Sequence, residues 1–381
     1  MFRRLFSKVK ILFLALTLLG TYLTLNLNTV VATNNTKTKT KKITSLQIVK
    51  NMKVGLDLGN SLDSPFNETD WGNPKTTKSM ITKIKQAGFN TVRIPITWNS
   101  HIGPAPDYTI DNAWLDRVQE VVNYAYDNHM YVIINLHHED SWLIPTYANK
   151  DAATAELTKL WTQISNRFKN YNDSLIFETM NEPRLIGTPE EWYGGTSEAR
   201  DVVNSYNLAA VNAIRDTGAK NSSRFIMIPT YAASSDKISI NGLKIPNNDK
   251  KILISLHAYI PYNFAMNVNG TSSWGSAKDK KELDSTLNAI YKKFGKKGYG
   301  VVIGEFASVN KNNENQRASL AKYYVSAAKK RSIAPIWWDN GVYSSGAKDS
   351  YGIFNRNTLR WECPKIVHAL TGLKVKKIRK A

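Results

Sequence analysis

From residue 54 onward the chain alternates between short apolar runs and longer stretches whose apolar residues return at helical spacing. The runs lie at 54–58, 91–94, 131–136, 175–180, 224–228, 252–256, 301–304 and 333–338. Amphipathic stretches fill the gaps at 77–87, 113–128, 152–168, 197–217, 279–294 and 316–331, while 231–251 is ambiguous. Buried parallel strands read as continuous apolar runs and surface helices as a stripe, so the alternation predicts repeated strand–helix units and a parallel sheet. Gly88, Gly218 and Gly295 follow three of the helical stretches, where glycine ends a helix at little steric cost. Eight strands, each followed by a helix, predict a single (β/α)8 TIM barrel of the α/β class. The alternative, an open doubly wound sheet, needs a glycine-rich first turn for a nucleotide, and Gly55 and Gly59 do not supply one.

The ends of the chain differ from its body. Arg3, Arg4, Lys8 and Lys10 precede an apolar run at 11–19, and Val30, Val31 and Ala32 have the small-residue pattern of a signal-peptidase site. Residues 1–32 are therefore expected to be an export signal. An uncleaved anchor is the alternative, but Thr and Asn interrupt 22–27 and make a poor continuous span. The Thr/Asn/Lys tract at 33–42 has too little apolar content to bury, so 33–52 reads as a short basic disordered leader before a catalytic domain at 53–372.

The net charge of +20 is concentrated at the termini: residues 1–53 hold ten basic and no acidic side chains, and the basic tail at 373–381 holds five basic ones. The body is only mildly basic, so no nucleic-acid partner is expected. Solvated tails account for the charge, with adhesion to an anionic wall polymer as the alternative. The expected location is extracellular, secreted with or without cell-wall association, with membrane contact confined to export. Cys363 is the single cysteine, which rules out an intrachain disulfide framework.

Closing a barrel carries the C-terminal ends of all strands to one face, so residues just past each run can meet whatever their separation in sequence. At or just past the run ends stand Asn60 and Asp63, Arg93, the His137–Glu139 trio containing His138, Asn181 with Glu182, Tyr231, His257 with Tyr259, Glu305, and Trp338 with Asp339. Hydrolysis of a glycosidic bond needs one carboxylic acid to protonate the leaving oxygen and a second carboxylate to attack the sugar or activate water. Glu182 and Glu305 are the candidate pair. An acid kept protonated near neutral pH requires a neighbouring negative charge or a desolvated site, while Arg93 and Tyr259 are placed to hold Glu305 ionised. Asn181 can donate its amide to a sugar 2-hydroxyl. Trp98 and Trp142, closest after the second and third runs, are the first candidate sugar platforms among the mouth aromatics, which also include Trp71, Tyr147, Trp192, Tyr231, Tyr262, Trp274 and Tyr343, half of them expected to be ordinary packing. Glu178, inside the fourth run, is expected to be a buried carboxylate paired with a base.

Eight segments fall in a specific order and spacing: GNSLD at 59–63, WGNPKT at 71–76, NTVRIPITW at 90–98, NLHHE at 135–139, FETMNEP at 177–183, SLHAY at 255–259, IGEF at 303–306 and WWDNG at 337–341. In them the chain resembles glycoside hydrolase family 5, the cellulase family of retaining barrel enzymes, and within it the bacterial endoglucanase branch. The resemblance implies Glu182 as acid/base and Glu305 as nucleophile, with Arg93, His137, Asn181, His257, Tyr259 and Trp338 as the remaining active-site residues. It gives His138 a contact role, and Asn60, Trp98 and Trp142 complete the expected substrate-binding set.

The activity implied is that of a secreted, retaining endo-β-1,4-glucanase acting as a monomer on internal bonds of a β-glucan, without cofactor or metal. A related β-glycanase acting on xyloglucan, mannan or xylan is the alternative among enzymes, and a non-catalytic glycan-binding or wall-associated protein is the alternative from another class. His137, His138 and His257 with the glutamates also admit a metal reading. Against it, adjacent residues on a strand point to opposite faces, which separates His137 from His138.

Overall fold

The computed structural model of the protein describes residues 43–375. The export signal expected at 1–32, the 33–42 part of the leader and the tail beyond 375 lie outside the described residues. The chain enters through helix α1 (Ser45–Met52) and strand β1 (Gly55–Asp57), then α2 (Lys78–Gln86), β2 (Thr91–Ile94), α3 (Asn112–Tyr126) and β3 (Tyr131–Asn135). It continues through α4 (Lys150–Phe168), β4 (Leu175–Glu178), α5 (Ser197–Asp216), β5 (Ile226–Ser234), α6 (Lys237–Gly242) and β6 (Ile252–His257). Next come α7 (Tyr262–Ala265), α8 (Ala277–Lys293), β7 (Gly300–Phe306), α9 (Glu314–Lys330) and β8 (Ile333–Trp337). A short antiparallel pair, β9 (Phe354–Asn355) and β10 (Arg360–Trp361), precedes the last helix, α10 (Pro364–Thr371). Each of the first seven strands pairs in parallel with the next, and β8 returns to β1, so the sheet is a closed barrel as the alternation predicted.

Residues 45–52 correct the expectation of a disordered leader running to 52. Thr44 caps α1 by accepting from the Gln47 backbone N–H, and Ile48, Val49 and Met52 are buried. They pack against Ile133, Ile176, Leu253, Val302 and Ile336, the side chains that fill the lower barrel. Ser45 ties the helix to the floor, donating to the Ile252 carbonyl and accepting from Gly300 N–H. The signal was in the sequence: a threonine cap followed by apolar residues at helical spacing.

Two further details differ from the sequence reading. The ambiguous stretch after 231 contains the last residues of β5 and then α6, capped by Asp236. The stop expected at Gly295 lies three residues later: a 3-10 turn spans Gly295–Lys297, and Gly298 (φ 87°) takes the left-handed conformation that ends it.

Strand alternation layers the barrel interior. On β4, Ile176 belongs to the lower interior cluster, while Leu175 and Phe177 pack in the outer core beneath the helices, so Glu178 returns to the interior one layer up. The same period places Arg93 on β2, Asn135 on β3 and Ser255 on β6 at the upper level, where the chain stacks charge on an apolar base. β7 breaks the period. Leu256 pairs with Ile303 but His257 pairs with Glu305, and the extra residue, Gly304, absorbs the register shift. A one-residue slip reverses which face a side chain occupies, and here it brings Glu305 alongside His257. A Cβ on Gly304 would sit 3.3 Å from His257 Nε2, so glycine also gives that ring its room.

Candidate active site

Arg93 is the hub of the upper layer. Its guanidinium, wholly buried, donates from Nε to Glu178 (2.7 Å), from Nη1 to Asp57 and Glu305 (3.0 Å each) and from Nη2 to Asn181 Oδ1 (2.7 Å). Burial works against its charge, but Glu178, Asp57 and Glu305 outweigh that and hold the guanidinium protonated well beyond its ordinary range. Glu178 is satisfied on both oxygens, by Arg93 and Asn135 on one and by the Ser255 hydroxyl on the other, which is the buried carboxylate–base pairing expected of it. Asp57 is different: one of its oxygens has no partner. Burial, reinforced by Glu305 and Glu178, pushes its carboxyl well above the usual range despite Arg93.

Glu305 lies between two donors. Arg93 contacts Oε1, and the Tyr259 hydroxyl donates to Oε2 at 2.9 Å. Burial and the facing carboxylate push the Tyr259 phenol well up, so it remains a donor. On the other flank, His257 Nδ1 lies 2.6 Å from Glu182 Oε1 and 3.6 Å from Glu305 Oε2. One oxygen of each glutamate and a ring nitrogen of His257 lie within 4.8 Å of one another. Glu182 does not follow the expectation of an acid held protonated by its site. Burial does push it up, but the hydrogen bond and charge of His257, then Arg184, more than reverse this, and the net direction is downward. For His257, burial opposes the charge, while Glu305 and Glu182 raise it above its ordinary value. In the resting pair the proton therefore sits toward the imidazole.

His137 is buried with its ring parallel to Trp338 at 5.8 Å. Burial, then His138, Arg93 and His257, push it well below its ordinary value, so it is neutral. Asn135 Nδ2 lies 3.2 Å from its Nδ1, an arrangement that leaves Nε2 as the N–H side. His137 and His138 touch edge to face, ring centroids 4.4 Å apart, because both lie beyond the end of β3 where strand alternation no longer applies. This removes the geometric objection to a metal reading. The donor set still favours hydrogen bonding: Glu305 already faces a guanidinium and a phenol, and Asp63, near the two histidines, accepts the N–H groups of Asn60 and Ser61.

Trp338 is held from behind. Its ring lies against Gly59, where a Cβ would be 2.7 Å away, and its neighbour Asp339 is clamped by Arg356, which also donates to the Gly59 carbonyl. Asn60 has φ 54° and a partly exposed side chain at the rim.

The expected platforms separate sharply. Trp98 is 0% exposed, and its indole N–H donates to the Asn135 carbonyl, so it is a core residue and not a sugar platform. Trp142 is half-buried and donates to Glu139, whose other oxygen takes the Trp98 backbone N–H. Trp71, Tyr147, Trp192 and Tyr262 are exposed and Tyr343 is half-buried, whereas Trp274 is buried against Tyr323 and is a packing residue. Tyr231 is buried and bridges Leu185 N–H to the Glu190 carbonyl, under the loop after β4. The sequence reading did not single out Asp57, Asn135, Ser255, Arg184 or Arg356. Only Arg184, directly after Asn-Glu-Pro, carried a positional hint.

The model of the cellulase family, glycosyl hydrolase family 5, matches residues 33–344. The chain belongs to that family. It is 54% identical over 342 residues to endoglucanase B of Clostridium cellulovorans, covering 89% of this chain and 78% of that protein. It is 55% identical over 330 residues to the cellulase/esterase CelE of Acetivibrio thermocellus, covering 87% of this chain but only 40% of that protein. Among solved structures, a GH5-4 broad specificity endoglucanase from Clostridium acetobutylicum superposes with a TM-score of 0.85 at 62% identity, covering 86% of this chain and 99% of that one. As a family 5 chain it has the barrel that its neighbours have, with the paired glutamates at the C-terminal mouth.

Proposed function

We propose that this chain is an endo-β-1,4-glucanase that cleaves internal bonds of β-glucans with retention of configuration. The observation that carries the reading is the close approach of Glu182 and Glu305 across His257, with oxygens within 4.8 Å. Retaining enzymes place their carboxyl groups about 5–5.5 Å apart, whereas inverting ones leave about 6.5–9.5 Å for a water. Glu305, oriented by Arg93 and Tyr259, is the nucleophile that attacks the anomeric carbon. Glu182 delivers the proton to the departing glycosidic oxygen, and that proton is drawn from the pair it forms with His257. In the second half Glu182, now a carboxylate, takes a proton from water as the water displaces Glu305 from the sugar. Asn181, fixed by Arg93 through its Oδ1, presents its amide N–H side to the sugar 2-hydroxyl. The homology with endoglucanases supports a β-glucan as substrate, and the basic-then-apolar pattern at the start of the sequence supports action outside the cell.

The test is a polysaccharide panel, with cellulose, mixed-linkage β-glucan, xyloglucan, mannan and xylan offered to the wild type beside Glu305→Gln. The reading expects internal cleavage of β-glucan, β-anomeric product seen first by NMR, and activity of the variant at or below about a thousandth of wild type. An α-anomeric first product, or a variant retaining more than a few per cent of the rate, refutes it.

A further inference from the structure

The loop after β4 carries a cation that neither gives nor takes a proton in the reaction. Arg184 lies two residues past Glu182 and is largely buried. Its Nη1 donates back to the Glu182 carbonyl at 3.1 Å and stands 3.9 Å from the Glu182 carboxylate. Nε donates to Glu191 at 3.0 Å, and Asp140 on the loop after β3 is 3.7 Å from Nη1. The Trp192 ring covers the guanidinium at 4.7 Å while 52% of that residue remains exposed. One side chain thus fixes the acid's backbone, faces its carboxylate and sits under an aromatic cover.

We propose that Arg184 is the positioning residue of the acid/base: its charge steadies ionised Glu182, and Trp192 keeps water from screening that charge. The inference rests on Glu182 being the acid/base. Glu182 becomes ionised as it gives its proton to the leaving oxygen and stays so until it draws one from water. A cation within 4 Å favours the carboxylate as its charge develops in the first step, and the effect grows as water is excluded. His257 alone cannot supply this, because it must exchange the proton with Glu182. Glu191 and Asp140 temper the Arg184 charge. The other titratable groups bearing on the pair are His257 on β6, Glu305 on β7, and His137 and His138 beyond β3, none of which holds a fixed positive charge beside the far oxygen.

The experiment compares Arg184→Gln, Arg184→Lys, Trp192→Ala and Glu191→Gln with wild type in pH–rate profiles on soluble β-glucan and on an activated aryl β-cellobioside. Arg184→Gln is expected to move the basic limb of kcat/KM up by about one pH unit, and to lower kcat/KM more on β-glucan, whose leaving group needs the acid, than on the aryl substrate, whose leaving group does not. Arg184→Lys should retain the limb near its wild-type position, and Trp192→Ala should shift it in the same direction as Arg184→Gln by less. Glu191→Gln, which loosens the loop but keeps the cation, should not raise the limb. An unmoved limb in Arg184→Gln, or equal shifts in all four variants, overturns the proposal. If Arg184→Gln does not fold, the limb of Trp192→Ala decides in its place. Glu182→Gln run alongside separates the two levels: activity on β-glucan surviving in that variant removes the acid/base assignment itself, whereas its loss with an unmoved Arg184→Gln limb removes only the role of Arg184.

Discussion

Arg93 and Glu305, 212 positions apart in the chain, meet through a 3.0 Å contact between Nη1 and Oε1 inside the barrel mouth. The same nitrogen also serves Asp57, and the same side chain serves Glu178 and Asn181, so one cation orders four polar groups. Replacing it by lysine keeps the charge and loses the fork. Arg93→Lys is therefore expected to lower kcat far more than it changes KM. Arg93→Met leaves buried carboxylates unpaired and should cost about 3–5 kcal/mol in denaturant unfolding. A methionine variant as stable as wild type would show that the hub is not holding these groups.

Glu182 works only where a proton must be moved. Glu182→Ala should lose activity on β-glucan by about 10²–10⁴-fold yet retain glycosylation of an aryl cellobioside whose leaving group needs no acid. Added azide should then restore turnover and yield a β-glycosyl azide, detectable by mass spectrometry and NMR. Rescue without that product, or equal losses on both substrates, would contradict the assignment.

Gly59 is the backstop of Trp338. Its backbone N–H donates to the Asp339 carbonyl and its own carbonyl accepts from Arg356, so the position cannot yield when a Cβ presses on the indole. Gly59→Ala should displace the ring and lower kcat/KM by about 10–100-fold with little change in melting temperature. Steady-state kinetics and a thermal melt on the same sample check this.

Trp98 and Trp142 invite opposite expectations. Trp98→Ala opens a large cavity beneath the second and third strands and should destabilise by roughly 3–5 kcal/mol. Trp142→Ala, at a half-buried position, should be milder in stability. Chemical denaturation of the two variants distinguishes them, and a fully stable Trp98→Ala would return that residue to the cleft.

Stability should depend on pH through two carboxyls. Burial raises Glu139 to about 7 despite donors from Trp98 and Trp142, and burial alone raises Glu156 to about 7. A raised folded-state carboxyl favours its neutral form, so this contribution is fully present below the unfolded value near 4.5 and is lost as pH rises through about 7. Glu156→Gln should thus raise the melting temperature at pH 8 by about 1 °C and leave it nearly unchanged at pH 4. An equal effect at both pH values would remove the linkage.

The sequence determined the barrel and the residues gathered at its mouth, because strand and helix periods and strand-end polar groups are local properties that a linear pattern carries in full. It named Glu182, Glu305, Arg93 and Tyr259 from their positions at or just past the ends of apolar runs. It also held the signal for α1, Thr44 followed by Ile48, Val49 and Met52, although composition pointed to a loose leader. Tertiary structure alone decided the rest. Closure sent Trp98 inward and left Trp192 outward, since exposure depends on what packs over a ring and not on its neighbours in sequence. The slip at Gly304 brought Glu305 alongside His257, and the distance between Glu182 and Glu305 was set by barrel geometry. The charge state of Glu182 came from His257 and Arg184 together, because electrostatic interaction follows separation in space, which the order of residues does not record.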